Sequence, residues 1–393
     1  PCEPEGACAG DNYCSPGYRS ISPMYRCATC DIGYFKRAGE CVLCPQCPAC
    51  LILMFIILAA CAGFFAYQLN KRDINVAFIQ IGVDYFQVLA IFANSRVAWP
   101  PYIKELFVIL SAFNLNIEIT APECLAPDVT FETKWRVIMT LPVVVGALFI
   151  LVIGSTYLFN RFYLGQRRDH AVRMLDQLVA AFFVLLYVLY LFITRTTLDI
   201  FNCAPTTPPD GKLYLQAEFV ECGVPGGVQM RLLPFAWLGL FGYSLGFPCL
   251  VAYLLYRHAH EMRVYRIRKR YGRMYYAFRP DFHFWVLLII GRKFLIALTS
   301  LMFNRVPGFQ LAMVLLCLFL SYTLQIKFQP FQSPATATES ILLGSAILVS
   351  LAGIMFETAP TNSYYDTQRD TIAVLVMFII IISIIYFFTV FGL

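Results

Sequence analysis

A few ionisable and amide side chains stand inside long apolar runs of this chain, where each must meet a protein partner or a wet path. Gln80, Asp84 and Gln87 recur at i, i+4 and i+7, which places them on one face of a helix. Arg292 and Lys293 sit side by side in a second run, and Asp84, Asp176 and Glu339 are the carboxylates available to answer them. A charge at the centre of a membrane helix costs roughly 2.5–3.5 kcal/mol. Lysine can reach back to the interface along its stem, so Lys293 is expected to snorkel and Arg292 to need the partner. Two chemistries fit: an ion pair that ties helices together, or a polar track that attracts permeant inorganic cations. Gln310 and Gln325, in a third run, suit either an interhelical hydrogen bond of about 1 kcal/mol or a pore lining.

Enzyme chemistry lacks its usual residues. His170, His258, His260 and His283 form no HExxH or other metal-ligand pattern, and no GxSxG, Walker loop or GxGxxG occurs. The chain is therefore expected to be no enzyme and to use no cofactor or metal. The net charge of +6 points to no nucleic acid, because the basic residues gather in loops beside apolar runs. The densest group lies in the stretch 257–283, where Arg263, Arg266, Arg268, Lys269, Arg270 and Arg273 alternate with Tyr265, Tyr271, Tyr275 and Tyr276. Three readings stay open for it: charge that orients the chain, contact with anionic lipid at about 1 kcal/mol per basic residue, or a site for a partner protein.

The elements that must position these residues follow from hydropathy. With 59% hydrophobic and 14% charged residues, and a mean hydropathy of +0.66, a soluble domain is excluded. A span needs about 20 mostly apolar residues. Such segments fall at 50–69, 76–93, 134–159, 172–193, 232–256, 284–303, 309–326, 340–356 and 372–390. The fold class expected is an all-α polytopic membrane protein of about nine transmembrane helices, a domain covering 50–393 behind a small head at 1–49. The stretch 102–115 is apolar but short, and Lys104 and Glu105 lie near its start, so it reads as a re-entrant or interfacial helix. Small residues on the eighth run, including Ser350 and Gly353, suit close helix contact. Pro248 and Gly246 suit a kink in the fifth.

The head holds Cys2, Cys8, Cys14, Cys27, Cys30, Cys41, Cys44, Cys47 and Cys50, a density typical of an oxidised scaffold too small for its own core. Its two CxxC pairs would also suit tetrahedral zinc. Gly-Tyr elements, surplus cysteines and the lack of any histidine in the head favour disulfides. Cys203 and Cys222 share one loop with Pro205, Pro208, Pro209 and Gly211 between them, and are expected to bond. Cys124 would then pair with the head, through Cys47 or Cys50.

The head reads Cys14-Ser-Pro-Gly-Tyr18, Cys27-Ala-Thr-Cys30, Gly33-Tyr-Phe35 and Cys41-Val-Leu-Cys44. This pattern resembles the ephrin-receptor-like cysteine-rich repeats of large algal and protist surface proteins. Downstream, Trp99-Pro100, Asn114-Leu-Asn116, Pro122-Glu-Cys124, the run from Arg270 to Tyr275, Arg292-Lys293, Gln325 and Pro330-Phe331 look like the TRP-like, polycystin-related membrane region that often follows such repeats. What the resemblance implies is a cation channel or channel-related subunit. The loop 357–371 is short, polar and free of glycine, unlike a pore helix and filter, so a groove among spans of one subunit is an equal route for ions.

With the oxidised head outside and nine crossings, the basic loops at 70–75, 160–171 and 257–283 all fall on the cytoplasmic side, as membrane orientation requires, and so does the C-terminus. The expected location is the plasma or another surface membrane. The expected function is a TRP-like channel, probed through Asp84 first. The rival is a surface receptor or anchor for a larger extracellular assembly, with extracellular protein partners or a homo-oligomer. The opening at Pro1 reads as a processed protein or the membrane-proximal part of a longer one.

Overall fold

The computed structural model describes residues 7–51 apart from 11, 12, 20–26, 28 and 38; residues 53, 54 and 57; and residues 77–392 apart from 94, 96, 98, 112–120, 127, 128, 163–167, 207, 208, 263, 304, 305 and 359–365. Cys2, Arg263 and most of the expected first span lie outside the described residues.

The head is two hairpins. Strands β1 (Cys8–Gly10) and β2 (Tyr13–Cys14) pair antiparallel, as do β3 (Tyr34–Arg37) and β4 (Glu40–Leu43). Little core is available, so crosslinks take its place. Cys14 bonds Cys27, Cys30 bonds Cys41 and Cys47 bonds Cys50, and Cys8 is also disulfide-bonded. The Gly-Tyr pattern has a physical reason: Gly17 has φ +94°, and a Cβ there would lie 2.8 Å from the Tyr34 ring.

Behind the head come α1 (Ala77–Ala93), α2 (Pro101–Leu110), the short α3 (Pro122–Leu125), α4 (Phe131–Phe162) and α5 (Arg168–Asp199). A hairpin of β5 (Cys203–Pro205) and β6 (Leu213–Leu215) leads to α6 (Val228–Gly239) and α7 (Gly246–Arg257). Then follow α8 (Tyr265–Tyr275), α9 (Trp285–Met302), α10 (Pro307–Phe328), α11 (Ala335–Thr358) and α12 (Asp366–Gly392). Among the described residues, 6 helices are long and apolar enough to cross a bilayer: Phe131–Val152, Leu175–Asp199, Val228–Arg257, Pro307–Phe328, Ala335–Thr358 and Thr367–Val390. The protein is thus a mostly helical, membrane-spanning chain with a disulfide-rich N-terminus. Nine spans is more than these helices supply. The expected second and sixth spans are the 17-residue α1 and the 18-residue α9, which stand outside the six.

Burial sorts the helices. Every residue of α1 from Asp84 to Ala93 is buried, so this helix is the axis of the bundle and is apolar almost all round. In contrast α4 runs along the outside, where Val143 is 72% and Ile150 70% exposed, an apolar surface that lipid would cover without cost. The small-residue face of α11 meets α10 and the α1–α2 turn: Ser350 Oγ donates to Leu311 O at 3.2 Å, and a Cβ at Gly353 would lie 2.8 Å from the Trp99 ring.

Between α6 and α7 the helix widens into a π-helical segment, Leu240–Leu245. Pro248 supplies no N–H to the carbonyl of Ser244, four residues back. The Tyr190 hydroxyl of α5 donates to that carbonyl at 2.7 Å instead. Left unpaired, a buried carbonyl costs about 1–2 kcal/mol, and the Tyr190 hydroxyl removes that cost here.

Candidate functional site: a buried charge network

Four helices bring the polar residues of the apolar runs together. Asp84 and Gln87 project from α1, Tyr187 from α5, Arg292 and Lys293 from α9, and Glu339 from α11. All are buried; Lys293 is 2% and Asp84 3% exposed. Lys293 Nζ lies 2.6 Å from Asp84 Oδ1, an ion contact that does not line up as a hydrogen bond. Its aligned hydrogen bond goes to Gln87 Oε1 at 3.0 Å, and the ammonium also sits 3.9 Å over the Tyr187 ring. The Tyr187 hydroxyl donates to Asp84 Oδ2, and Gln87 Nε2 donates to the Val188 carbonyl at 2.8 Å. Arg292 Nη1 pairs with Glu339 Oε1 at 3.0 Å, while its Nη2 stays 4.0 Å from Asp84 Oδ2. Gln80 hydrogen-bonds with Tyr187 and is only half-buried.

This arrangement revises the expected pairing. Lys293 does not snorkel; it is the nearer cation to Asp84, and Arg292 belongs first to Glu339. Two carboxylates and two cations cancel, so the network carries no net charge. Such a cluster fixes helix register more readily than it draws an ion, since each charge already has its counter-charge. Gln310 and Gln325 are buried in α10 but join none of these contacts. Beside Tyr187 and Gln80 lies a cavity of about 40 Å³, lined otherwise by apolar side chains and Arg273. That is room for roughly one to three waters.

Asp176 has a different partner from the one expected. It is buried near the start of α5 and pairs with Arg270 of α8, Nη2 to Oδ1, at 2.5 Å. Burial opposes the charge on Arg270, but Asp176 and Tyr271 together outweigh this and hold the guanidinium above its ordinary range. Arg270 is therefore turned into the protein rather than toward lipid. Arg266 and Arg268 are exposed, with Arg268 5.2 Å over the Tyr276 ring and Lys269 5.5 Å over Tyr265. Arg273 is half-buried at the cavity. Tyr275 donates to the Met262 carbonyl at 2.9 Å, and burial pushes its phenol up to about 12.

The opposite end of α5 faces the head. Cys203 bonds Cys222, as expected from the loop. Cys124 bonds Cys44, not Cys47 or Cys50, because those two are already bonded to each other. Cys44 follows directly on β4, whose partner β3 packs against α3. Two ion pairs reinforce the joint, Arg37 with Glu105 at 2.5 Å and Lys104 with Glu40 at 2.6 Å. Lys36 Nζ donates to the Ala217 carbonyl at 3.1 Å, so the head touches the β5–β6 hairpin as well.

The chain is similar to Cysteine repeat modular protein A of Toxoplasma gondii, 20% identical over 379 residues, a match covering 76% of this chain and 12% of that protein. The chain thus spans about an eighth of that relative's length. No family model matches, and no solved structure does. A distant cysteine-repeat homologue, membrane-spanning helices and a disulfide-rich head together fit a cysteine-rich surface membrane protein.

Tyr187 was the residue that sequence reasoning passed over. A tyrosine in an apolar run looks like packing, but a buried hydroxyl needs a partner, and that rule singles it out along with Tyr190. The Arg270–Asp176 contact joins residues 94 apart and left no local signal.

Proposed function

We propose that the chain is the membrane base of a cysteine-rich surface protein, holding a disulfide-rich extracellular head and whatever precedes it rigidly on a helix bundle. The observation that carries this is the Cys44–Cys124 bond with its two flanking ion pairs, which join head and bundle covalently. The neutral, fully countered charge network supports the same reading, since it suits a scaffold that must not slide. On this reading nine crossings, adding 50–69, α1 and α9 to the six long helices, put the head outside and the C-terminus in the cytoplasm. The exposed cations Arg266 and Arg268 then lie against an anionic cytoplasmic leaflet. The chain performs no enzymatic turnover in this role, and its partners are lipids and extracellular proteins.

A second reading, the TRP-like cation channel, draws on the buried Asp84 and the cavity beside Tyr187. Flux decides between them. The full chain in liposomes is expected to pass cations no faster than empty liposomes. A selective cation current that changes in Asp84→Asn would overturn the anchor reading and establish the channel.

A further inference from the structure

The disulfides differ in how tightly the fold holds them. Cys14–Cys27, Cys30–Cys41, Cys44–Cys124 and Cys203–Cys222 close sequence separations of 13, 11, 80 and 19, and each of these cysteines is at least half-buried. Cys47–Cys50 closes a separation of 3, and both its cysteines are exposed. A loop this short removes little chain entropy, so the crosslink adds least to folding. Exposure lets an external thiolate reach either sulfur. The Cys50 backbone N–H donates to Cys47 Sγ at 3.3 Å, a contact that would stabilise a thiolate on Cys47 and make it the better leaving group. Residues 48–51 are helical, which keeps the two sulfurs facing each other for reclosure.

We propose that Cys47–Cys50 is a thiol–disulfide exchange site whose co-reactant is an external dithiol. The incoming thiolate bonds to Cys50 Sγ, the Sγ–Sγ bond breaks, and its electron pair leaves on Cys47 as a thiolate. The second thiolate of the dithiol then attacks its own bonded sulfur and releases the Cys50 thiolate. The head gains two electrons and the dithiol becomes a disulfide. The other crosslinks stay closed, so the head remains joined to the bundle. This holds whether the chain anchors or conducts.

The test is graded dithiothreitol on the full chain in nanodiscs, with maleimide quenching and peptide mapping. Cys47 and Cys50 are expected to be half-reduced at a concentration at least roughly tenfold below that needed by Cys14–Cys27, Cys30–Cys41, Cys44–Cys124 and Cys203–Cys222. They should reoxidise with oxidised glutathione while those pairs stay intact. A separation under tenfold, or labelling only in denaturant, overturns the proposal. As a second arm, Cys50→Ser is expected to form a mixed disulfide from oxidised glutathione, releasing one glutathione thiolate, at mildly acidic pH at least about threefold faster than Cys47→Ser. Equal rates would remove the assignment of Cys47 as leaving group. If neither variant folds, the parental titration decides alone.

Discussion

Replacing Asp84 by Asn tests the charge network at its centre. The change keeps shape and removes the carboxylate that faces Lys293 at 2.6 Å and Arg292 at 4.0 Å. At an effective dielectric of 20 these contacts are worth about 6 and about 4 kcal/mol before desolvation is counted. Lys293 keeps only the Gln87 oxygen and the Tyr187 ring, neither of which carries a full negative charge. An uncompensated buried cation costs about 3–5 kcal/mol. For a chain of 393 residues that is a fall in apparent melting temperature of roughly 4–6 °C. The assay is thermal unfolding of the full chain in nanodiscs at one fixed scan rate, because such unfolding is often irreversible. Geometry also dictates which second change restores stability. Lys293→Met returns the network to neutrality by removing the orphaned charge itself. Arg292→Met leaves Lys293 unpaired and strips Glu339 of its partner, so it should rescue poorly. An Asp84→Asn chain as stable as the parent, or one rescued better by Arg292→Met than by Lys293→Met, would refute the pairing.

The remaining predictions concern the two ends of the bundle and the widened helix. Cys44→Ser opens a crosslink over 80 positions, and about 4–5 kcal/mol of stability should be lost, with Cys124 newly labelled by maleimide. Changing Arg266, Arg268 and Lys269 to glutamine should weaken binding to anionic liposomes at low salt, by at most about 3 kcal/mol, without lowering the melting temperature; unchanged binding would end the lipid reading. Arg270→Gln should act the other way, leaving lipid binding nearly intact while the stranded Asp176 costs about 3 kcal/mol in thermal unfolding. Tyr190→Phe strands the Ser244 carbonyl and should cost about 1–2 kcal/mol, with faster amide exchange in α6 and α7 as its signature.

Periodicity showed which residues share a face but not what stands opposite. The i, i+4, i+7 spacing placed Gln80, Asp84 and Gln87 together, and they do line one side of α1. Whether Arg292 or Lys293 meets Asp84 depends on how α9 is rotated about its axis. Adjacent residues differ by about 100° of azimuth, and hydropathy carries no information about that angle. The Cys203–Cys222 bond was legible because both cysteines lie in one loop with turn residues between them. The partner of Cys124 was not, because it depends on where β4 ends in space. The short helix α1 marks the limit of counting spans by length. Its apolar run was plain, but a helix wrapped by other helices need not match the bilayer's thickness as a lipid-facing one must.

The Cys44–Cys124 bridge gives tension on the N-terminus a second way into the helix bundle. One route runs along the backbone through residue 50 into the segment at 50–69. The other leaves the chain at Cys44, crosses sulfur to Cys124, and continues through Glu123, which pairs with Lys134 in the first turns of α4 at 2.8 Å. A pull is thus divided between two covalent routes in parallel rather than carried by the backbone alone. The head would have to be sheared from its seat, with both routes yielding together, instead of being peeled away one contact at a time.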